Sequence, residues 1–272
     1  MKATLVFIML LAAVYGRAIS LTGTYVQPGG DIYGVTSMGA PSTVAGGGDL
    51  KTIFDTAANA WNSKIGDNWS LNIKYGWSNT IGNAVAQYYA WWMPFGDQRH
   101  FQARILFNPN YSFYADATPG SHSEYQSYSE SSRNYGSGEM NIGRNFSNAT
   151  GEAAGRFDLL TLATHEIGHA LSIGVGPRWT NEIADGNITL TAPRYYAGSI
   201  IPIDATEGHL AEQTSLMWYG LAPGERKLIS ELDLDTGMQV SGFTIRPVPE
   251  PTTMAVIAAG LGFLIRRKRK NS

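Results

Sequence analysis

The sequence predicts an α+β domain, because a helical repeat, several strand-like segments and a second helix follow one another along the chain. Apolar residues recur at helical spacing from Leu50 to Trp61, which predicts an amphipathic helix from Asp49 to about Ile65. Residues 69–75 alternate between apolar and polar side chains, as half-buried strands do. Hydrophobic residues make up 43% of the 272 residues, which is enough for the core of one domain.

Two further strands and a second helix are predicted downstream. Residues 85–92 and 103–107 are strand-like. Asp158 can cap a helix over residues 159–171 that ends before Gly174. The remaining segments are rich in Gly, Ser, Thr, Asn or Tyr, and we predict them to be mostly loops. We expect one strand within residues 19–48, loop over residues 108–150, and short elements within residues 178–246.

Composition excludes two classes of chemistry. A formal net charge of −2 and only 15% charged residues give no basic surface for nucleic acid. The chain has no cysteine, so disulfides, thiolate nucleophiles and cysteine–zinc sites are impossible. Any metal site must therefore use histidine, aspartate, glutamate or tyrosine.

The N-terminus has the features of a secretory signal peptide. Lys2 precedes a short apolar run over residues 4–14, and Gly16 and Ala18 supply the small residues that precede a cleavage site. The apolar run is too short to cross a bilayer. We therefore predict that residues 1–18 direct export and are then removed.

The C-terminus combines three features in order: Pro-Glu-Pro at 249–251, an uncharged stretch over 252–265 and a basic block over 266–270. This order resembles the PEP-CTERM sorting signal of exopolysaccharide-producing Gram-negative bacteria. The resemblance implies that residues 247–272 are a sorting tail whose short transmembrane helix anchors the chain transiently in the inner membrane. It also implies an exosortase-type partner that cleaves near Pro251, and a destination at the cell surface or in the extracellular matrix.

A metal-binding pattern, HExxH, lies in the second predicted helix as His165-Glu166-Ile167-Gly168-His169. Residues four apart share a helix face, so both imidazoles can reach one cation. Zinc suits imidazole ligands and keeps a position for water in catalytic sites. Glu166 lies beside that position and can accept a proton from the water as general base. We therefore predict a catalytic Zn²⁺ site.

The pattern resembles the motif of metzincin zinc proteases, which continues as HExxHxxGxxH. This chain departs from the motif, because Ser172 and Val175 take the places of the glycine and the third histidine. The later family features reappear further on: His209 precedes Met217 by eight residues, which resembles the third histidine and the Met-turn. On this resemblance residues 174–207 are an insertion, and Met217 forms a soft floor under the histidines.

The metzincin resemblance also implies the roles of the site residues. His165, His169 and His209 hold Zn²⁺, and Glu166 is the general base. Tyr219 follows Met217 at the spacing seen in astacins and serralysins, so it binds the zinc of the resting enzyme or stabilises the oxyanion of the reaction.

The residues themselves leave other third ligands open. Asp204, Glu207 and Glu212 are alternatives to His209, and the two glutamates correspond to the distant glutamate of gluzincins. The two remaining histidines are expected to be structural or solvated: His100 and His122.

The resemblance implies a two-lobed catalytic domain over residues 49–246, preceded by a loop-rich segment over 19–48. The N-terminal lobe contains a twisted sheet and two helices, and the C-terminal lobe is smaller and irregular. Residues 232–235 start the closing helix of that lobe. A polypeptide substrate lies along the sheet edge, for which residues 103–107 are the candidate.

These observations predict a secreted or surface-sorted zinc endopeptidase. The alternative is a catalytically inactive or non-peptidase protein of the exopolysaccharide matrix that keeps the metzincin fold. The intact His165, Glu166 and His169 favour an active enzyme.

Overall fold

A computed structural model of the chain describes residues 20–67, 69–92, 98–206 and 208–245, and it confirms the α+β class. The predicted signal peptide and sorting tail lie outside these residues. The helices are α1 (Leu50–Asn62), α2 (Leu159–Ala170), α3 (Gly176–Glu182) and α4 (Glu231–Ser241). The strands are β1 (Ser20–Tyr25), β2 (Ser70–Trp77), β3 (Ala86–Trp92), β4 (His100–Phe107), β5 (Phe113–Tyr114), β6 (Tyr125–Asn134), β7 (Glu139–Ala149), β8 (Phe157–Asp158), β9 (Asn187–Thr189), β10 (Ile200–Pro202) and β11 (Arg226–Leu228). Within the described ranges, no helix combines the length and the apolar character needed to span a membrane.

A four-stranded sheet forms the base of the molecule, with the strand order β1, β2, β4, β3. β1, β2 and β4 are parallel neighbours, whereas β3 is antiparallel to β4 and forms one edge. The candidate edge over residues 103–107 is therefore wrong, because these residues belong to β4 and are paired on both sides. β4 inserts between two strands that precede it in the chain, and hydrophobic periodicity does not encode that order.

Helix α1 joins the sheet to α2. Asp49 caps the helix by accepting hydrogen bonds from its first turn. Phe54 stacks on Tyr75 of β2 with ring centroids 3.8 Å apart. Trp61 Nε1 donates to the Thr164 carbonyl of α2 at 2.9 Å. The predicted apolar face is buried: Leu50, Ile53, Phe54, Ala57, Ala58 and Trp61.

A long hairpin occupies part of the segment 108–150, where the sequence predicts loop. Strands β6 and β7 pair antiparallel, and β11 pairs with the other side of β7. The loop prediction is wrong because most β6 side chains are polar and partly or fully exposed, so the strand lacks the apolar alternation that marks a half-buried strand. Met140 and Ile142 of β7 are buried and join the core.

A buried ion cluster connects β11 to the start of α2. The Arg226 guanidinium is fully buried and donates to the carboxylates of Asp116 and Asp158 at 2.9 Å each. Asp158 also caps α2 as predicted, because its carboxylate accepts the Thr161 N–H at 2.9 Å. Burial lowers the pKa of Arg226, but the nearby carboxylates outweigh burial and raise it above its ordinary value. The cluster therefore stays charged and fixes the helix that carries the HExxH residues.

The chain after α2 reverses through two residues in the left-handed conformation. Ser172 has φ +74° and Gly174 has φ +81°. A Cβ on Gly174 would lie 1.9 Å from the Gly208 carbonyl oxygen, so only glycine fits this approach. Ser172 adopts its positive φ with a Cβ present, which leaves local strain at that residue.

We expect Ser172→Gly to stabilise the fold by about 0.5–1 kcal/mol. A left-handed backbone costs a non-glycine residue about 1–2 kcal/mol, and the extra freedom of glycine in the unfolded chain offsets part of the gain. Urea unfolding measures the difference. Ser172→Ala is the matched control, because it keeps the Cβ and should show no such gain. A Ser172→Gly variant less stable than the parent would contradict this account.

Candidate metal centre

Helix α2 carries His165 and His169 on one face and buries both side chains. Their Nε2 atoms lie 3.1 Å apart. His165 Nδ1 is 2.8 Å from the Leu216 carbonyl oxygen, and His169 Nδ1 is 2.6 Å from the Ile173 carbonyl oxygen. A carbonyl oxygen only accepts hydrogen bonds, so each Nδ1 carries the proton of a neutral ring and each Nε2 presents a lone pair.

Two facing lone pairs need a positive partner between them. Burial lowers the pKa of His165 well below its ordinary value and lowers that of His169 to about 3, so a shared proton is disfavoured. Two nitrogens bound to one tetrahedral zinc ion lie about 3.3 Å apart, given zinc–nitrogen bonds of about 2.05 Å. The observed 3.1 Å is close to that separation. The two residues therefore fit zinc or a similar divalent cation.

His209 reaches the same place from the segment that follows α3. Its ring centroid lies 5.3 Å from that of His165 and 5.0 Å from that of His169. One ligand atom from each of the three histidines lies within 4.8 Å of the other two, and no other group of three potential ligands in the described ranges does so. Burial lowers the pKa of His209 as well, which favours a neutral ring.

The alternative third ligands have different surroundings. Glu212 Oε1 accepts hydrogen bonds from the Tyr135 hydroxyl at 2.5 Å and from the Arg133 guanidinium, so that carboxylate is engaged outside the cluster. Asp204 Oδ2 lies 3.9 Å from His209 Nδ1, so it faces the histidine and is not a member of the cluster. Glu207 lies outside the described residues.

Glu166 lines the same cavity as the three histidines. Its side chain is buried. Burial raises the pKa of Glu166 to about 8, and the nearby Tyr88 backbone N–H on β3 opposes the rise. The carboxyl group can therefore accept and return a proton near neutral pH. The sequence does not indicate a role for Tyr88, because the group beside Glu166 is its backbone N–H.

Met217 packs against α2 beside the histidines. The side chain is fully buried, and a Cβ on Gly168 would lie 2.3 Å from its Sδ, so the glycine leaves room for the thioether. The Met217 N–H donates to Ser215 Oγ at 2.9 Å and to Asp233 Oδ1 at 3.0 Å. Asp233 also completes the capping box of α4, which confirms the helix start predicted at 232–235. The start of α4 thus holds the Met217 turn in place.

The histidine cluster opens into a cavity of about 470 Å³. Residues 83–88, which lead into β3 and form its first part, line the cavity together with apolar side chains that include Phe157, Leu162, Val175 and Leu221. Tyr219 also lines it and is 60% exposed, with its ring centroid 6.2 Å from that of His209. The tyrosine predicted from the sequence is therefore beside the cluster and open to solvent.

The two other histidines do not belong to the cluster, as the sequence predicts. His100 Nδ1 lies 2.6 Å from the Tyr88 hydroxyl and 3.0 Å from the Ala170 carbonyl oxygen. Burial lowers the pKa of His100 to about 4. His122 stacks on Phe146 with ring centroids 4.1 Å apart. His100 therefore packs against the end of α2, whereas His122 packs on β7 beside Arg226.

Comparison with known proteins identifies the C-terminal tail. Residues 247–270 match the PEP-CTERM protein-sorting motif, which confirms the resemblance seen in the sequence. The protein is therefore exported and surface-sorted, as PEP-CTERM proteins of Gram-negative bacteria are, and the exosortase that recognises the motif is a partner. No curated protein shows significant similarity to the chain.

We expect His209→Ala to weaken zinc affinity by more than the roughly 10–100-fold that changes outside the ligand shell cause. The ring is one of three that converge within 4.8 Å. Competition with a chromophoric chelator measures the affinity. Glu212→Ala is the control and should bind zinc as the parent does, because its carboxylate is engaged elsewhere. Undiminished affinity in His209→Ala, with a loss in Glu207→Ala, would move the third ligand to Glu207.

Proposed function

We propose that this chain is an exported zinc-dependent endopeptidase with a metzincin-like fold. The observation that carries the proposal is the convergence of three neutral imidazoles beside a buried carboxyl group in an open cavity. His165, His169 and His209 would hold the zinc. A bound zinc ion supplies a Lewis acid that polarises a carbonyl group and makes water a nucleophile at neutral pH.

Glu166 and Tyr219 perform the remaining chemistry in this proposal. Glu166 takes the proton from the attacking water and returns it to the leaving amine. Glu166 and Tyr88 both line the cavity that the three histidines open into. Tyr219 is exposed beside His209, and its hydroxyl can donate a hydrogen bond to the oxyanion of the tetrahedral intermediate.

The position of strand β3 favours a polypeptide as the substrate. β4 pairs with one side of β3, and the described strands leave the other side as the sheet edge. The start of this strand lines the cavity that contains Glu166. An extended peptide can add to such an edge through main-chain hydrogen bonds, which brings a peptide bond to the histidine cluster.

The order of the elements supports the two-lobed arrangement over residues 49–246. The sheet and the helices α1 and α2 come first, and β1 (Ser20–Tyr25) extends the sheet from the loop-rich N-terminal segment. The described residues between 174 and 245 contain α3, short strands and α4, which suits a smaller irregular lobe. This second part brings His209 to the histidine cluster and packs Met217 against α2.

A cleavage assay tests the proposed function. The full chain, purified in detergent, should bind one zinc ion per molecule and degrade an unstructured protein such as casein. Chelation of the metal should abolish cleavage, and added zinc should restore it. A protein that binds zinc at the three histidines but cleaves neither casein nor a mixed peptide library is not an endopeptidase. That result would favour an inactive or non-peptidase protein of the extracellular matrix.

A further inference from the structure

The loop from Asp204 to His209 is closed by hydrogen bonds between its first and last residues. The Asp204 N–H donates to the His209 carbonyl oxygen at 3.0 Å. The His209 N–H donates to Asp204 Oδ1 at 3.3 Å. Thr206 Oγ1 lies 2.9 Å from Oδ1 and 2.8 Å from Oδ2 of the same carboxylate. Asp204 therefore ties the start of this segment to the backbone of the third histidine.

The ring of His209 differs from the other two rings of the cluster in one respect. Nδ1 of His165 and Nδ1 of His169 each face a backbone carbonyl oxygen. His209 Nδ1 is buried and has no hydrogen-bond partner. Asp204 Oδ2 faces this nitrogen at 3.9 Å. A movement of about 1 Å would bring the two atoms to the roughly 2.8 Å of a charge-assisted hydrogen bond.

Burial makes this contact favourable for both groups. The Asp204 side chain is only 6% exposed, and a buried carboxylate needs hydrogen-bond donors to offset its lost hydration. The unpartnered Nδ1 of His209 is a donor when Nε2 binds a cation, because a neutral ring has one protonated nitrogen. A carboxylate that accepts this N–H fixes the tautomer and the ring orientation and makes the other nitrogen a stronger ligand.

We propose that Asp204 is the positioning residue of the metal centre: it accepts the Nδ1–H of His209 and directs Nε2 towards the cation. The inference rests on the proposed metal site and explains how a motif interrupted after His169 is completed. The rings of α2 are oriented by backbone carbonyl oxygens. The loop that carries His209 supplies its own carboxylate for the same purpose.

A double-mutant cycle on zinc affinity tests the role of Asp204. The affinity of the full chain in detergent is measured by chelator competition for Asp204→Asn, His209→Ala and the double variant. Asparagine keeps an oxygen that can accept the backbone N–H of His209, so the loop can stay closed. It removes the negative charge that would face Nδ1 of the ring. We expect Asp204→Asn to lower affinity by about 10–100-fold. We expect no further loss in the His209→Ala background, because the residue acts through that ring.

Two controls separate positioning from general damage to the fold. Thr206→Val removes one donor to the carboxylate without changing its charge, and it should change zinc affinity much less than Asp204→Asn. Melting temperatures of the metal-free variants report whether a substitution destabilises the fold as a whole. Parent-like affinity in Asp204→Asn would overturn the inference. Equal losses with and without His209 would also overturn it, because Asp204 would then act as a ligand or through the fold.

The same samples distinguish this inference from the proposed function. Zinc affinity reports the role of Asp204 even if the chain cleaves no peptide. Suppose that Asp204→Asn lowers zinc affinity only when His209 is present, and that the chain does not cleave casein. This result would uphold the metal site and the role of Asp204, and it would contradict only the proposed endopeptidase activity.

Discussion

Replacing Glu166 with glutamine should lower the rate of peptide cleavage by about 10²–10⁴-fold while zinc remains bound, because the general base contributes about that factor. Glutamine has nearly the same shape as glutamate, so it can take the same buried position. It cannot accept a proton from water. Since contacts with bound substrate are largely kept, the loss should appear in kcat more than in KM.

A fluorogenic peptide gives kcat and KM, and metal analysis of the same sample gives the zinc content. Glu139→Gln is the matched control, because this glutamate is exposed at the start of β7 and should tolerate the change. Full cleavage by a zinc-loaded Glu166→Gln variant would exclude Glu166 as the base. Loss of both zinc and cleavage would instead assign the residue a role in forming the metal site.

Replacing Arg226 with methionine should lower the free energy of unfolding by about 3–5 kcal/mol, because the change leaves buried carboxylates without their cation. Asp116 and Asp158 each lie 2.9 Å from the guanidinium, and all three side chains are at most 1% exposed. Asp158 also caps α2, so the damage should extend to the helix that carries His165 and His169. Zinc affinity should therefore fall together with stability.

Urea unfolding measures the effect of Arg226→Met, and two further variants show its cause. Lys51→Met removes the cation of an exposed ion pair with Asp55 and should change stability little. Adding Asp116→Asn and Asp158→Asn to Arg226→Met neutralises the stranded charges, and asparagine can still cap α2. The triple variant should recover part of the lost stability. A loss in Arg226→Met no larger than that in Lys51→Met would show that the buried cluster is not a major source of stability.

Local patterns predicted the elements whose signal lies within one segment. The apolar repeat of α1, the Asp158 cap of α2 and the helix after Ser230 are all found near their predicted places. Each depends on residues three or four positions apart, which sequence displays directly. The hairpin of β6 and β7 was not predicted, since it consists largely of backbone pairing between polar strands.

The candidate site divides in the same way. Helical spacing alone places His165 and His169 on one face with Glu166 next to them. The third metal ligand could be chosen only from the tertiary structure, because four residues from 204 to 212 were chemically suitable. Hydrogen bonds from Tyr135 and Arg133 engage Glu212, and the closed loop turns Asp204 towards His209 and away from the cluster.

The sequence by itself determined the α+β class, the sorting tail and the paired histidines of the HExxH helix, because each is written in residues close along the chain. The tertiary structure decided that β3 is the sheet edge. It also decided that a ligand atom of His209 lies within 4.8 Å of ligand atoms of the other two histidines. Both depend on how distant segments pack. Strand β4 lies between β2 and β3, which both precede it in the chain, and the loop that carries His209 reaches the histidines of α2. These contacts join residues that are far apart in the sequence, so they form only in the folded chain.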